Sequence, residues 1–445
     1  MNTIGRRFRA AALIGAAALA LAFAAGARAQ NQNSNRNGDS NSNDNTWPYA
    51  RTGQSPVLAV VGDISCQPDQ DFVSGGGEAA HEACETPKAP YSSTTSTPPG
   101  PPFSLYQSQE ATANQIEAMK PDAVAILGDL QYQVGLYQDF ERSFDLTYGA
   151  FKFLHRPSPG NHEFYDEHSA TGVAGYGYFS YYNGFQLNGD GTIPTTTVPD
   201  PCPAALAAAC NFPGLTTPVP QPLPRADGQA GHFELGANGG LNGTGVGDGW
   251  YSYNLGAWHL ISLNIECSTQ PGGCSDTGTW FAAELAWLKK DLEENHAPCT
   301  LAYWHQPSFS AADSLAPEGT AALAFWQLLY DHSADLVLNG HDHLYARYRP
   351  LDPSGNSDPR KGIREFIVGT GGETLDTVVA SKTGDAGAQF NLANLEASTG
   401  DFWGVMALTL DPNGYKWDFE SALELPGAPA GTYSDKGVGV CHGNR

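Results

Sequence analysis

Val57-Leu58-Ala59-Val60-Val61-Gly62-Asp63-Ile64-Ser65 is an apolar run of strand length that stops at a glycine followed by an acid. A continuous, valine-rich run of this kind is the pattern of a strand buried on both faces. Ala123-Val124-Ala125-Ile126-Leu127-Gly128-Asp129 repeats it, and residues 106–119 between the two show helical spacing (with Leu105, Ala113, Ile116 and Met119) that stops before Pro121. The pattern then continues: a helix over 136–150, a strand Trp258–Leu263, a helix over 279–294, a strand Leu301–Trp304, a helix over 320–331 and a strand Asp335–Leu338. Strand-like runs follow at 363–368, 402–410 and 414–421. This alternation predicts an α/β sandwich of mixed sheets. In such sheets, ligands gather in the crevice beyond the carboxyl ends of the strands.

Chemistry-bearing residues fall at those ends. The clusters are Gly62-Asp63-Ile64-Ser65, Gly128-Asp129-Leu130-Gln131-Tyr132, Gly160-Asn161-His162-Glu163, Ala302-Tyr303-Trp304-His305 and Gly340-His341-Asp342-His343. A lone acid after a strand is most often a turn or helix-cap residue. A lone tyrosine is most often packing, and an asparagine after Pro-Gly an ordinary turn. Taken together, the residues make up a ligand set for two metal ions: Asp63, Asp129, Tyr132, Asn161, His305, His341 and His343. His341 and His343 share a side of an extended segment, and Tyr132 lies one helical turn beyond Asp129. His162 diverges from its neighbour Asn161, which casts it as a proton source or hydrogen-bond donor beside substrate, with Glu163 behind it as an orienting residue. The remaining eight histidines read as core or surface residues.

The rest of the chain sets bounds. Arg6, Arg7 and Arg9 precede an apolar run from Ala10 to Ala25, and Ala27-Arg28-Ala29 supplies a cleavage site, so residues 1–29 read as an export signal peptide. The expectation is an exported protein, periplasmic or extracellular, with no membrane partner after cleavage. Residues 30–54 read as an Asn/Ser-rich disordered leader. Residues 55–425 read as one catalytic domain with Gly/Pro/Ser/Thr-rich insertions at 69–103 and 186–249, and 426–445 as a C-terminal tail. The formal charge is −24, and loss of residues 1–29, which carry four arginines and no acid, takes it to −28. So acidic a surface argues against nucleic acid or anionic membrane as a partner. Eight cysteines in an exported chain imply disulfides; their spacing suggests Cys66–Cys84, Cys202–Cys210 and Cys267–Cys274.

The five clusters, in this order, resemble the calcineurin-like metallophosphoesterases, and within them the purple acid phosphatase branch, over roughly residues 55–425. That family carries Asp-x-Gly, Gly-Asp-x-x-Tyr, Gly-Asn-His-(Asp/Glu), Val-x-x-His and Gly-His-x-His. Members without the tyrosine have a histidine two residues after the first Asp. Here that position is Ser65, and Tyr132 is present to replace it. The resemblance implies a four-layer αββα sandwich of two mixed sheets flanked by helices, with a dinuclear centre. Asp63, Asp129, Tyr132 and His343 would hold Fe(III), and Asp129, Asn161, His305 and His341 would hold Fe(II), Zn(II) or Mn(II), Asp129 bridging. The donor types suit the two ions. With the charges of the ligands and a bridging hydroxide counted, the site itself is positive, which offsets the acidic surface for a small phosphate-ester substrate. The implied activity is a phosphoric ester hydrolase using a metal-bound hydroxide, a phosphomonoesterase first and a phosphodiesterase or nucleotide-directed enzyme as the alternative. A non-catalytic binding protein would have lost ligands, and a single-zinc site leaves half the set unused. Many relatives carry a second histidine after the Val-x-x-His ligand. This chain has Gln306 and Ser308–Ser310 there, so no leaving-group acid is carried over from that region.

Overall fold

The computed structural model describes residues 54–67, 84, 105–165, 175–183, 230, 249–270, 272–275, 277, 279–312, 318–379, 389–424 and 431–442. In chain order the first strands are β1 (Val57–Val61), β2 (Ala123–Leu127), β3 (His155–Ser158), β4 (Tyr251–Leu255), β5 (Trp258–Ser262), β6 (Cys299–Trp304) and β7 (Phe309–Ser310). They are followed by β8 (Leu336–Asn339), β9 (Tyr345–Tyr348), β10 (Arg364–Val368), β11 (Gln389–Phe390) and β12 (Leu395–Thr399). The last three are β13 (Phe402–Asp411), β14 (Gly414–Glu424) and β15 (Ser434–Val440). The main helices are α1 (Leu105–Met119), α2 (Tyr176–Asn183), α3 (Trp280–Glu294) and α4 (Leu323–Asp331).

Thirteen of these strands form two mixed sheets, and β7 pairs with β11 in a separate two-stranded one. One mixed sheet has the order β15-β14-β13-β1-β2-β3, the other β12-β9-β10-β8-β6-β5-β4. In the first, β1, β2 and β3 are parallel, with Val60 opposite Ala125 and Leu127 opposite Ser158. In the second, β5, β6, β8 and β10 are parallel. The sheets face each other through one apolar layer that joins Leu58, Val60, Ala125 and Leu127 to Leu301, Leu338, Phe366 and Val368. Each buried valine, leucine or phenylalanine among them stabilises the fold by roughly 1.5–3 kcal/mol. The alternate residues of the second sheet, Ala302, Trp304, Val337 and Ile367, pack on Phe281 and Leu288 of α3 and Phe325 and Leu329 of α4. Helix α1 covers β13 and β14 on the first sheet. The layers therefore run helix, sheet, sheet, helix, the order the family resemblance implies.

Residues 136–150 depart from the expected single helix. They break into short turns around a π-helical stretch, Phe140–Phe144. Side chains enter the ladder there: the Phe144 N–H donates to Gln131 Oε1 at 3.2 Å, and Gln109 Nε2 donates to the Ser143 carbonyl at 3.3 Å. Such insertions are a known cause of helix irregularity. The helix expected over 320–331 is Leu323–Asp331, preceded by a short turn Glu318–Ala321. The sheet also extends past residue 425: β15 pairs with β14 along seven residues, and Cys441 is bonded to Cys299 at the start of β6. This segment is an edge strand tied to the second sheet, in place of the expected tail. Cys66–Cys84 and Cys267–Cys274 are bonded as their spacing suggests. The signal peptide, the leader up to residue 53, Cys202–Cys210 and most of both insertions lie outside the described residues. Among the described residues, no helix is long and apolar enough to cross a membrane.

Candidate metal centre

The parallel pairing of β1 and β2 continues beyond both strands. Asp63, Ile64 and Ser65 donate their N–H groups to the carbonyls of Gly128, Asp129 and Leu130 at 3.1, 2.9 and 3.0 Å, and Tyr132 N–H returns to the Ser65 carbonyl at 2.9 Å. The ladder sets Asp63, Asp129 and Tyr132 side by side at the carboxyl edge of the first sheet. On the second sheet, His305 follows β6 and His341 follows β8, joined by the Gly340 N–H to the His305 carbonyl at 3.0 Å. Two bonds then cross between the sheets. His305 Nδ1 lies 2.7 Å from the Leu127 carbonyl, and the His341 N–H reaches Asp63 Oδ2 at 3.0 Å.

Three of these residues adopt left-handed backbone: Asp63 (φ 60°), Asp129 (φ 47°) and His341 (φ 68°). Non-glycine residues in this region carry strain of roughly 1–3 kcal/mol each, and such positions cluster at functional sites. Gly128 (φ 87°) is held by a second constraint, because a Cβ there would lie 2.4 Å from His305 Nδ1. A side chain on Gly160 would meet Asp129 Oδ1 at 2.3 Å.

The donor atoms form two overlapping groups. In one, Tyr132 Oη lies 3.1 Å from Asp63 Oδ1, 3.2 Å from Asp129 Oδ2 and 2.9 Å from His343 Nε2. In the other, His305 Nε2 lies 2.9 Å from Asp129 Oδ2 and 3.1 Å from Asn161 Oδ1, and Asp129, His305 and His341 offer donor atoms within 4.8 Å of one another. Asp129 belongs to both. All seven expected ligand positions come together, and none falls elsewhere.

The chemistry of this set fits cations. His305 and His343 each point Nδ1 at a carbonyl, of Leu127 and of Thr374, both at 2.7 Å. Donating Nδ1–H there turns the Nε2 lone pairs inward, where they meet the oxygens of Asp129, Asn161, Asp63 and Tyr132. Lone pairs so arranged repel unless a proton or a metal ion lies between them. Among the described residues, the ion-pair partners of the buried Asp63 and Asp129 are histidines, never lysine or arginine. Without an ion, protons take that place. Burial disfavours charge on His305, but Asp129 outweighs it and raises the imidazole to about 10. Burial likewise pushes Asp129 up, and His305 with His162 outweighs it, holding the carboxyl well below its ordinary range. His343 is raised by Asp63 against burial, whereas burial and the neighbouring His305 push His341 down to about 3.

No family model matches the chain. A stretch of 115 residues is 31% identical to purple acid phosphatase 15 of Arabidopsis thaliana, covering 24% of this chain and 20% of that protein. The chain is a distant relative of the purple acid phosphatases. A 149-residue stretch is 27% identical to an acid phosphatase of Aspergillus ficuum, over 26% of this chain and 24% of that protein. The chain thus spans about a quarter of the length of these relatives. A purple acid phosphatase from yellow lupin seeds, of solved structure, is 15% identical over 86% of this chain and 54% of that one, with a TM-score of 0.45.

His162 turns away from Asn161, as expected of adjacent side chains. Its Nδ1 lies 2.6 Å from the Gln133 carbonyl, its ring packs on Tyr132 at 4.2 Å, and its Nε2 lies 3.9 Å from Asp129 Oδ2. Glu163, expected to orient His162, bonds to loop backbone in place of that imidazole. Its buried carboxylate accepts N–H bonds from Leu130 (2.8 Å) and Gln131 (3.2 Å) on one oxygen and from Gly160 (2.8 Å) on the other. It thereby clamps the Asp129 loop to the Asn161 loop. Burial and the Asp129 charge push Glu163 up to about 8 against those donors. Sequence reasoning missed the carbonyls of Leu127, Thr374 and Gln133, which carry no side-chain signal. It also missed Tyr165, whose position four residues after Asn161 was the available clue.

Proposed function

We propose that the chain is an exported, metal-dependent phosphoric ester hydrolase that prefers monoesters. The observation that carries this reading is the pair of overlapping donor groups sharing Asp129 at the facing carboxyl edges of the two sheets. Asp63, Asp129, Tyr132 and His343 would hold one ion, and Asp129, Asn161, His305 and His341 the other. The phenol and carboxylates of the first group suit Fe(III), and the imidazoles and amide of the second suit Fe(II), Zn(II) or Mn(II). When bound, such a pair supplies Lewis acidity to a phosphoryl group and lowers the pKa of water.

The chain's own residues do the rest. With Nδ1–H held by the Gln133 carbonyl, His162 has one remaining nitrogen, Nε2, at which to carry and release a proton toward a phosphoryl or leaving oxygen. Tyr132 packs against that ring and limits its rotation. Export is supported by the arginine-flanked apolar run of residues 1–29 and by three disulfides. The substrate is a small phosphate ester, and the acidic surface argues against nucleic acid.

The test compares p-nitrophenyl phosphate with its bis ester on metal-loaded protein, with Asp129→Ala beside it. Faster cleavage of the monoester, and a loss of about 1000-fold in the variant from several kcal/mol of lost transition-state stabilisation, are expected. Faster cleavage of the diester overturns the monoester preference. Inactivity toward both esters with two ions bound overturns the hydrolase reading.

A further inference from the structure

Asn161 is the one carboxamide in the set. Its amide can turn either end toward an ion, and only the oxygen can bind one. Its orientation is therefore a requirement that the neighbouring residues must meet, and the hydrogen-bond network around it assigns the two ends.

The nitrogen end is held by Tyr165. Asn161 Nδ2 donates to Tyr165 Oη at 3.0 Å, across one turn of the short helix Asn161–Phe164 and its cap. The oxygen end is held by Gln306, whose Nε2 donates to Asn161 Oδ1 at 3.3 Å. Gln306 is itself fixed. Its Nε2 donates a second bond to Glu266 Oε1 at 2.7 Å, and its main-chain carbonyl accepts from Trp304 Nε1 at 2.8 Å. Reversing the Gln306 amide would set its oxygen against the Glu266 carboxylate and the Asn161 oxygen, two acceptors at once. Gln306 and Glu266 are both buried, so water offers no easy substitute for these bonds. The chain runs from Glu266 through Gln306 and Asn161 to Tyr165, each amide having its direction dictated by the one before.

We propose that Tyr165 and Gln306 are positioning residues that lock the Asn161 amide with its oxygen toward His305, and so set the affinity of the second half of the centre. Tyr165 has another contact, its ring lying 4.9 Å from that of His162. Tyr165→Phe removes the bond to Asn161 and keeps that packing.

This inference rests on the dinuclear reading above, and the experiment separates the two. Chelator-stripped protein is titrated with Zn(II) against a competing indicator, giving one association constant for each of two steps. Tyr132→Phe, which alters the other half, identifies which constant belongs to which half. In Tyr165→Phe and in Gln306→Met, the constant of the Asn161 half should fall about 10- to 100-fold, the usual effect of losing an outer partner of a ligand. The other constant should stay within about twofold, since neither variant touches its ligands. Unchanged constants in Tyr165→Phe overturn the proposal. So does an equal fall in both, which would mean general loosening. Wild-type protein that takes up fewer than two ions overturns the dinuclear reading itself.

Discussion

Replacing Glu163 with glutamine tests whether the two central loops are held by one buried carboxylate. The glutamine keeps the shape and retains one acceptor oxygen. That oxygen can keep the bonds from Leu130 and Gln131, now at 2.8 and 3.2 Å. The amide nitrogen then faces the Gly160 N–H, which at present donates at 2.8 Å. One buried N–H loses its acceptor and meets another donor, which costs about 1–3 kcal/mol. The two retained bonds also lose their charge assistance. Against this, the variant no longer buries a carboxylate that its surroundings push up to about 8, which returns part of the loss. The expected net destabilisation is about 1–3 kcal/mol, read from urea unfolding of the metal-free protein at about pH 9, where Glu163 is ionised. Because the clamp joins Asp129 to Asn161, metal affinity should fall as well, by roughly 10-fold or more. A variant within about 0.5 kcal/mol of wild type, with unchanged metal affinity, would refute the reasoning and make Glu163 a filler.

Three other outcomes follow from the same geometry. Purified protein loaded with iron should show a visible phenolate absorption that disappears in Tyr132→Phe, while the tilted packing on His162 is kept; a spectrum unchanged by the substitution would place the phenol outside the centre. Removing the Cys299–Cys441 bond, which closes a separation of 142 residues, should lower stability by about 2–5 kcal/mol in Cys299→Ala/Cys441→Ala. The third concerns Asp435 on β15. It accepts from Arg347 Nε (2.7 Å), Tyr345 Oη (2.7 Å) and Trp417 Nε1 (3.1 Å). Burial raises Asp435, but these partners outweigh it and hold the carboxyl below its ordinary value. A depressed carboxyl stabilises the fold above the unfolded pKa of about 3.9 and loses that contribution as pH falls through the folded value. Asp435→Asn should therefore flatten the fall in the urea midpoint between about pH 5 and pH 3, and an undiminished fall would assign it to other groups.

What was legible in the sequence was set by residue type. Val57–Val61 and Ala123–Leu127 are apolar on both faces, so their burial could be read directly, and the acids after them mark the edge where chemistry collects. What was not legible was set by context. β3 is His155-Arg156-Pro157-Ser158, polar in composition yet wholly buried, because Tyr303 bonds to the Arg156 carbonyl and Tyr253 faces the guanidinium at 5.6 Å. β15 reads Ser-Asp-Lys-Gly-Val-Gly-Val, turn-like by propensity. Its glycines are needed because a Cβ at Gly437 or Gly439 would meet the rings of Trp417 and Tyr415 at 2.1 Å.

The site divides along the same line. The seven residues that the fold brings together could be picked out from sequence because they belong to the few side-chain types that bind metals, and those types are rare at strand ends. Their orientation could not, since it comes from groups that every residue has or that other loops supply. The carbonyls of Leu127 and Thr374 fix two imidazoles, and N–H groups of Leu130, Gln131 and Gly160 converge on one glutamate. A chain could carry all five clusters in order and still present the Asn161 oxygen poorly if Tyr165 or Gln306 were changed. The motif specifies which atoms are available. The surrounding hydrogen bonds decide whether their lone pairs point at one place.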